Sequence, residues 1–176
     1  MEAQFQRNHL PDVFQHCKRL LVTRNGSREH IDDTSKAIIE QLQEDGRRPY
    51  SGIGKAIGLS EAAVRQRVQK LIDSGVVQIV AVTDPMQLGF ARQAMIAIQA
   101  TGDVEAIADK IAKIDEVDYV VVTAGSCDII AEVVVEDDSH LLQLVNGQIR
   151  TIEGITRTES FLYLKLVKQT YDWGAR

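Results

Sequence analysis

Apolar side chains recur every three or four residues in three short segments of the first half of the chain, a spacing that predicts three amphipathic helices. The first helix begins after the capping candidates 32–34, the second lies within 51–57, and the third is capped by Ser60. We expect Gly46, Gly58 and Gly75 to end these helices, with Gly46 in the left-handed conformation. Three short helices joined by tight turns predict a helix-turn-helix unit.

The second half alternates between the periods of strands and helices. Asp103 is the expected cap of one helix and Ser139 of another, whose apolar positions are 141, 142, 145 and 149. Residues 76–83 are β-rich and are interrupted at Asp84-Pro85. The remaining apolar runs predict four strands, over residues 93–101, 117–123, 129–135 and 156–167. The order βαββαβ is typical of the ferredoxin-like fold.

These elements predict an α+β protein with five regions. Residues 1–30 form an N-terminal extension with one short helix after Pro11. The others are a helix-turn-helix domain over 31–76, a β-rich linker over 77–90, a ferredoxin-like domain over 91–170 and a tail over 171–176. The central strands are nearly continuous Val/Ile runs, which indicates that both faces of the sheet are covered. Helices cover one face, and we expect a second copy of the chain to cover the other, giving a homodimer.

Composition excludes several classes of protein. The chain has 176 residues, of which 44% are hydrophobic, but it has no apolar run of membrane-spanning length and no secretory signal. We therefore expect a cytoplasmic protein that is not bound to a membrane. Its two cysteines, Cys17 and Cys127, and its four scattered histidines predict neither a disulfide framework nor a metal site, and no cofactor is expected.

The charge of the chain is divided unevenly along its length. The net charge is −5 overall, but it is +2 for residues 1–31, zero for 32–78 and −7 for 79–176. The acidic second half should be repelled by DNA, while the first half can bind phosphate if its basic side chains share one face. Double-stranded DNA is therefore the expected partner of the first half.

Several short motifs occur in an order and spacing that extend from Asp32 to about Lys168. In the first half they are Ile31-Asp32-Asp33-Thr34, Asp45-Gly46-Arg47, Ile57-Gly58-Leu59-Ser60, Val64, Arg67, Val68, Leu71 and Gly75-Val76. In the second half they are Asp84-Pro85, Leu88-Gly89, Val117, Gly125-Ser126-Cys127-Asp128 and Ile155–Ser160. Together they resemble the Lrp/AsnC (feast/famine) family of transcription regulators. Gly52 and Gly54 depart from the pattern, because the family commonly has an acidic residue and alanine there.

The resemblance implies a transcription regulator whose DNA binding or assembly responds to an amino acid or a related metabolite. It also implies that the second half is a RAM-type domain whose dimers assemble further, often into a ring of four dimers (an octamer). In this family the hairpin between the second and third strands lines the effector pocket. The residues that correspond to it here are Thr123, Ala124, Gly125, Ser126, Cys127 and Asp128, with Arg150 matching a position that faces the same pocket.

The chemistry of the hairpin suits an amino acid, because glycine lets backbone N–H groups approach a carboxylate and Asp128 offers a negative charge to an ammonium group. A purely structural interpretation is open, in which Gly125 serves a tight turn and Asp128 caps it.

The third helix is the expected DNA-reading element. With Val64, Val68 and Leu71 facing its own core, the outward residues are Glu61, Ala62, Arg65, Gln66 and Gln69. Arg65 and Gln66 can form bidentate hydrogen bonds with guanine and adenine, and Ala62 can contact a thymine methyl group. Phosphate contacts are expected from Arg47, Arg48, Tyr50, Ser60 and Lys70.

Other interpretations of these residues and of the whole chain are open. Arg65, Arg67 and Lys70 can form an ordinary solvated face, and Arg67 is as well placed for a structural hydrogen bond as for DNA. For the whole chain, one alternative is a nucleoid-type protein that organises DNA without an effector. Another is a sirohaem-type tetrapyrrole decarboxylase with the same architecture, although this acidic second half has a single histidine, His140. No catalytic constellation is apparent, and an enzyme is not expected.

Overall fold

A computed structural model describes residues 31–170 of the chain. They belong to two compact units, the first ending at Ala81 and the second covering Val82–Gln169. The predicted N-terminal extension and C-terminal tail lie outside the described residues. The first unit contains helices α1 (Asp33–Glu44), α2 (Tyr50–Ile57) and α3 (Glu61–Asp73), which confirms the three predicted helices.

The ends of these helices follow from their capping residues. The side chain of Asp32 accepts a hydrogen bond from Ser35 N, and that of Ser60 accepts one from Ala63 N. Gly58 and Gly75 end α2 and α3 with φ of 75° and 72°.

The expectation of a left-handed Gly46 is wrong, because α1 ends at an extended Asp45. The Asp45 carboxylate accepts from Arg47 N at 2.9 Å, and its carbonyl accepts from Arg48 N at 2.9 Å. These two bonds turn the chain without a left-handed residue.

The core of the first unit is small, and α2 contributes one buried isoleucine to it. Its buried residues are Ile38, Leu42, Ile53, Val64 and Val68. A Cβ atom on Gly54 would lie 2.4 Å from the carbonyl oxygen of Leu59, whereas a Cβ on Gly52 would meet nothing within 4 Å. Gly54 therefore allows the close approach of α2 to the turn before α3, whereas Gly52 faces open space.

The second unit is a four-stranded antiparallel sheet with helices on one face. Its strands lie in the order β2-β3-β1-β4, which confirms the ferredoxin-like fold. A short 3₁₀ helix, Pro85–Leu88, precedes the first strand. The elements are β1 (Arg92–Ala100), α4 (Val104–Ile111), β2 (Val117–Val122), β3 (Ile129–Val135), α5 (Asp138–Gln143), a π-helical turn (Leu144–Ile149) and β4 (Ile155–Leu162).

The β-rich connector forms no strand and the last predicted strand is shorter than expected, since a β ladder requires a neighbouring strand. In the described chain no strand pairs with the connector 76–83, so this segment is not a strand. The last strand ends at Leu162 instead of Val167, because its partner β1 starts at Arg92. The final bond between the two is from Tyr163 N to the carbonyl of Gln93.

The last helix differs from its prediction in its cap and its buried positions. Asp137, not Ser139, caps α5 by accepting a hydrogen bond from His140 N. Leu142, predicted to face the core, is 63% exposed, while Leu144 is fully buried. The π-helical turn that starts at Leu144 changes the helical phase, so a stripe counted at α-helical spacing assigns the wrong leucine to the core.

Candidate DNA interface and effector hairpin

Helix α3 presents a polar face to solvent because its apolar residues are used in the core. Val64, Val68 and Leu71 are buried. The five residues predicted to face outward are all exposed, namely Glu61, Ala62, Arg65, Gln66 and Gln69. Gln69 donates a hydrogen bond to Asp73 within the helix, at 2.8 Å. The geometry needed for an α-helix to present side chains to a groove is therefore present in α3.

The Arg65 side chain is 65% exposed, yet it has two partners in its own unit. Arg65 Nη2 donates to Glu61 Oε1 at 2.9 Å, one turn earlier on α3. The guanidinium carbon lies 5.3 Å from the centre of the Tyr50 ring, within the range of a cation–π contact. Arg65 is thus directed by an anion on one side and an aromatic face on the other.

The residues predicted to contact phosphate lie in the same unit and differ in exposure. Arg47, Ser60 and Lys70 are exposed, whereas Arg48 and Tyr50 are half-buried. Arg48 is paired with Glu44 at 2.8 Å. The Ser60 oxygen accepts the capping bond of α3, which leaves its hydroxyl proton able to donate to an acceptor outside the helix.

The two interpretations of Arg67 are separated by its contacts. Arg67 Nη1 lies 2.8 Å from Asp32 Oδ2 and 3.3 Å from Ser35 Oγ, so it joins α3 to the start of α1. Hydrogen bonds with Ser35 and Arg67 hold the pKa of the Asp32 carboxyl well below its usual range. Arg67 therefore has a structural role in fixing the position of α3.

The predicted effector hairpin connects β2 to β3 and is tied to the end of β1. Thr123 N donates to the carbonyl of Asp128 at 2.8 Å, and Thr123 Oγ1 donates to the carbonyl of Cys127 at 2.7 Å. From β1, Gln99 Nε2 donates to the carbonyl of Ser126 at 2.9 Å. Ala124, Gly125 and Ser126 are exposed, while Thr123, Cys127 and Asp128 are half-buried. The hairpin is held at both bases and exposes its tip.

Asp128 supports the purely structural interpretation of the hairpin, whereas Gly125 does not. One oxygen of the Asp128 carboxylate accepts from Ala100 N at 2.8 Å, so this side chain does fasten the hairpin to β1. Gly125 is not among the glycines with positive φ, and a Cβ there would meet nothing within 4 Å. Nothing within the described chain therefore requires glycine at the tip of the hairpin.

Arg150 lies at the end of the π-helical turn and is exposed. Its guanidinium donates to Asn146 at 3.1 Å, a residue of its own helix. The chain after this turn leads to the end of the sheet where the hairpin lies, because β4 begins at Ile155 opposite Ala100, the residue whose N–H binds Asp128.

The sheet face away from the helices, here called the open face, is partly exposed and carries apolar side chains beside polar ones. Along β1, Ala94, Ile96 and Ile98 are buried against the helices, so the alternate residues point to the open face. The register places on it Gln93, Met95, Ala97 and Gln99 of β1, Ile130, Glu132 and Val134 of β3, Tyr119 and Val121 of β2, and Arg157, Glu159 and Phe161 of β4.

A polar cluster occupies part of this face. Gln93 Nε2 donates to Glu132 Oε1 at 2.8 Å. Burial, with a smaller effect of the nearby Glu132 carboxylate, raises the pKa of Tyr163 to about 12.

Three features were missed by reasoning from the sequence. The Tyr50–Arg65 contact had no signal beyond the presence of both residues, because it depends on how α2 crosses α3. The role of Gly54 had a signal, a glycine in a helix interior, without an indication of its neighbour. The Gln93–Glu132 pair had the clearest signal, since Glu132 interrupts an otherwise apolar strand.

Residues 31–170 contain neither a candidate metal site nor a candidate membrane-spanning helix. No three His, Cys, Asp or Glu side chains of this segment are grouped so that they could hold a metal ion. None of its helices combines the length and the apolar character that crossing a membrane requires.

Comparison with known proteins covers both units. The AsnC-type helix-turn-helix domain matches residues 31–72, and the Lrp/AsnC ligand binding domain matches residues 93–173. An uncharacterized HTH-type transcriptional regulator of Pyrococcus furiosus is 34% identical over 143 residues, which cover 80% of this chain and 97% of the relative.

Two solved structures are also similar to most of this chain. The structure of AsnC from E. coli matches with a TM-score of 0.72 at 25% identity, covering 81% of this chain and 98% of that one. A transcriptional regulator of Neisseria meningitidis in complex with L-Met matches with a TM-score of 0.71 at 25% identity, covering 80% of this chain and 94% of the other.

Proposed function

Because the chain belongs to the Lrp/AsnC family of transcriptional regulators, we propose that α3 reads a specific DNA sequence and that an amino acid bound at the 123–128 hairpin controls this binding. The family consists of regulators, not enzymes, so the decarboxylase alternative is not retained. The single observation that supports the DNA-reading role best is the exposed polar face of α3 opposite its buried stripe. We also propose that the protein is cytoplasmic, because the DNA that it binds lies inside the cell.

Base readout and phosphate binding are divided between two groups of side chains in this proposal. Arg65 and Gln66 contact base edges, Ala62 a thymine methyl group and Gln69 a neighbouring base. Phosphates are bound by Arg47, Arg48, Ser60 and Lys70. Ser60 supports this division, because its hydroxyl proton is available while its oxygen caps α3.

We expect the double variant Arg65→Ala/Gln66→Ala to lose sequence preference. Each bidentate pair contributes about 1–3 kcal/mol of discrimination, so the ratio of affinities for preferred and random DNA should fall by about tenfold or more. Gel shifts at fixed salt measure both affinities, with the preferred duplex selected from a randomised pool by the unmodified protein.

The matched control is Arg47→Ala/Arg48→Ala. Removing two phosphate contacts should weaken binding to both duplexes alike and make the slope of log affinity against log salt shallower. An unchanged preference in the Arg65/Gln66 variant would show that bases are read elsewhere.

The effector proposal is supported by the match to a ligand-binding domain and by the similarity to a regulator bound to L-Met. A glycine that nothing in the described chain requires stands at the hairpin tip, where the carboxylate of an amino acid can approach the backbone. One oxygen of Asp128 is bonded to Ala100 N, and we propose that the other meets the ammonium group, with Arg150 as a further contact for the carboxylate.

We expect Asp128→Asn to abolish most of the response to amino acids while leaving DNA binding intact. The amide oxygen can still accept the Ala100 N–H, so the variant removes charge without releasing the hairpin. Loss of a charged hydrogen bond of about 1.5–3 kcal/mol predicts at least tenfold weaker binding. A thermal-shift series with L-methionine and the other amino acids measures it, since ligand at 100 times Kd stabilises by about 2.7 kcal/mol.

Asp109→Asn is the control, because Asp109 is an exposed carboxylate on α4. A wild-type response in the Asp128 variant would place the effector elsewhere. If no amino acid shifts the melting of the unmodified protein, the nucleoid-type alternative without an effector is favoured instead.

We further propose that two copies of the chain pair through the open face and that these dimers assemble into a larger ring such as an octamer. The apolar residues of the open face support the pairing, because Met95, Ala97 and Ile130 are only half-buried in a single chain. A symmetric pair also suits DNA reading, since two α3 helices can then occupy neighbouring half-sites.

A further inference from the structure

Tyr50 is placed to direct an arginine rather than to bind DNA itself. It is the first residue of α2, it is half-buried, and it packs against the core of the first unit. Its ring faces the guanidinium of Arg65 at 5.3 Å. The ring is therefore fixed by the core on one side and is in contact with the arginine on the other.

Arg65 is held from a second direction by its own helix. Glu61 Oε1 accepts from Arg65 Nη2 at 2.9 Å, and both residues lie in the first turns of α3. The N-terminal residues of a recognition helix are those that meet base edges. The two contacts restrain the guanidinium at the position where readout takes place.

An arginine whose side chain is unrestrained discriminates poorly between DNA sequences. Its long side chain samples many rotamers and can pair with a backbone phosphate, a contact that carries no sequence information. Bidentate recognition of guanine requires the planar guanidinium to approach the base edge in one orientation. A fixed aromatic face favours that planar group in a restricted set of orientations.

We propose that Tyr50 is a positioning residue for base readout, whose ring, together with Glu61, orients Arg65 towards a guanine edge. In this arrangement the Tyr50 hydroxyl makes no phosphate contact. The positioning of Arg65 replaces the phosphate-binding role that the sequence led us to expect of Tyr50. This inference rests on the proposed function of Arg65 as a base contact. It assigns part of the sequence specificity to a side chain that touches no base.

Two substitutions separate the ring from the hydroxyl. Tyr50→Phe keeps the ring, and we expect it to retain the wild-type ratio of affinities for preferred and random DNA. Tyr50→Leu keeps an apolar contact with the core but removes the aromatic face. We expect this variant to lower the ratio about fivefold, with the affinity for random DNA and its salt dependence unchanged.

The measurement is a titration of each full-length variant with the selected duplex and with a random duplex of equal length, at several salt concentrations. Ile57→Val trims the same small core from the other end of α2 and controls for stability, with no change expected in the ratio. In an Arg65→Ala background, Tyr50→Leu should have no further effect, because the ring then has no arginine to orient.

Three different results would each contradict a separate part of this scheme. Weaker binding of Tyr50→Phe to both duplexes, with a shallower salt slope, would show that the hydroxyl contacts phosphate. An unchanged ratio in Tyr50→Leu, when Arg65→Ala lowers it, would overturn the positioning role alone. An unchanged ratio in Arg65→Ala itself would overturn the underlying base contact.

Discussion

Gly54→Ala is expected to destabilise the DNA-binding unit and to weaken specific DNA binding in this chain, even though the family commonly has alanine at this position. The added Cβ would lie 2.4 Å from the Leu59 carbonyl oxygen, and no rotamer change can relieve a contact between a Cβ and the backbone. The only relief is to separate α2 from the turn before α3, which also disturbs the bond from Leu59 N to the Gly54 carbonyl. A loss of about 1–3 kcal/mol, the usual range for overpacking, is a large fraction of the stability of so small a unit.

Gly52→Ala is the matched control one half-turn earlier in the same helix. A Cβ there meets nothing within 4 Å, and replacing glycine in a helix by alanine stabilises by about 1 kcal/mol. The midpoint of urea unfolding, followed by circular dichroism, should therefore rise for the Gly52 variant and fall for the Gly54 variant. Equal stability of the Gly54 variant and the unmodified protein would contradict the close approach described here.

Ala97→Glu is expected to dissociate the proposed dimer. Ala97 lies on the open face, with Ile130 and Glu159 opposite it on the neighbouring strands. If a second copy covers this face, the new carboxylate must be buried directly opposite the Glu159 carboxylate, at a cost of several kcal/mol. At 1.4 kcal/mol per tenfold change, a cost of about 3 kcal/mol raises the dimer Kd more than 100-fold.

Ala106→Glu introduces the same charge on the exposed side of α4 and should leave the assembly unchanged. Sedimentation analysis gives the mass of each variant relative to the 19.6 kDa chain, and circular dichroism checks that both are folded. A dimeric Ala97→Glu protein would mean that the open face is not the dimer interface, and the proposal of pairing through it would fail.

Predictions from local sequence patterns were confirmed where the structure depends on residues that are close together in the chain. Ser60 and Asp103 were predicted as helix caps and Asp32 as one of three candidates, and each accepts a backbone N–H. The buried stripe of α3 was also predicted, since its spacing leaves one apolar face. The prediction failed at Leu142, because a π-helical turn changes the phase of a helix without changing its composition.

The other features that the sequence did not predict depend on contacts between residues that are distant in the chain. Residues 76–83 have the composition of a strand, but composition does not supply a partner, and none of the described strands pairs with them. Arg67 had two equally good interpretations until its contact with Asp32, 35 residues away, decided between them. The roles of Tyr50 and Gly54 likewise depend on which backbone and which side chain lie opposite.

The sequence by itself determined the order of the elements, the two-part organisation and the face of α3 that carries polar side chains, because periodicity and capping act between residues a few positions apart. Only the tertiary structure decided that Arg65 contacts both Glu61 and the Tyr50 ring, that Gly54 lies close to the Leu59 carbonyl, and that Asp128 binds the end of β1. The physical reason is that such contacts join residues distant in the chain, and their geometry is set by how whole elements pack.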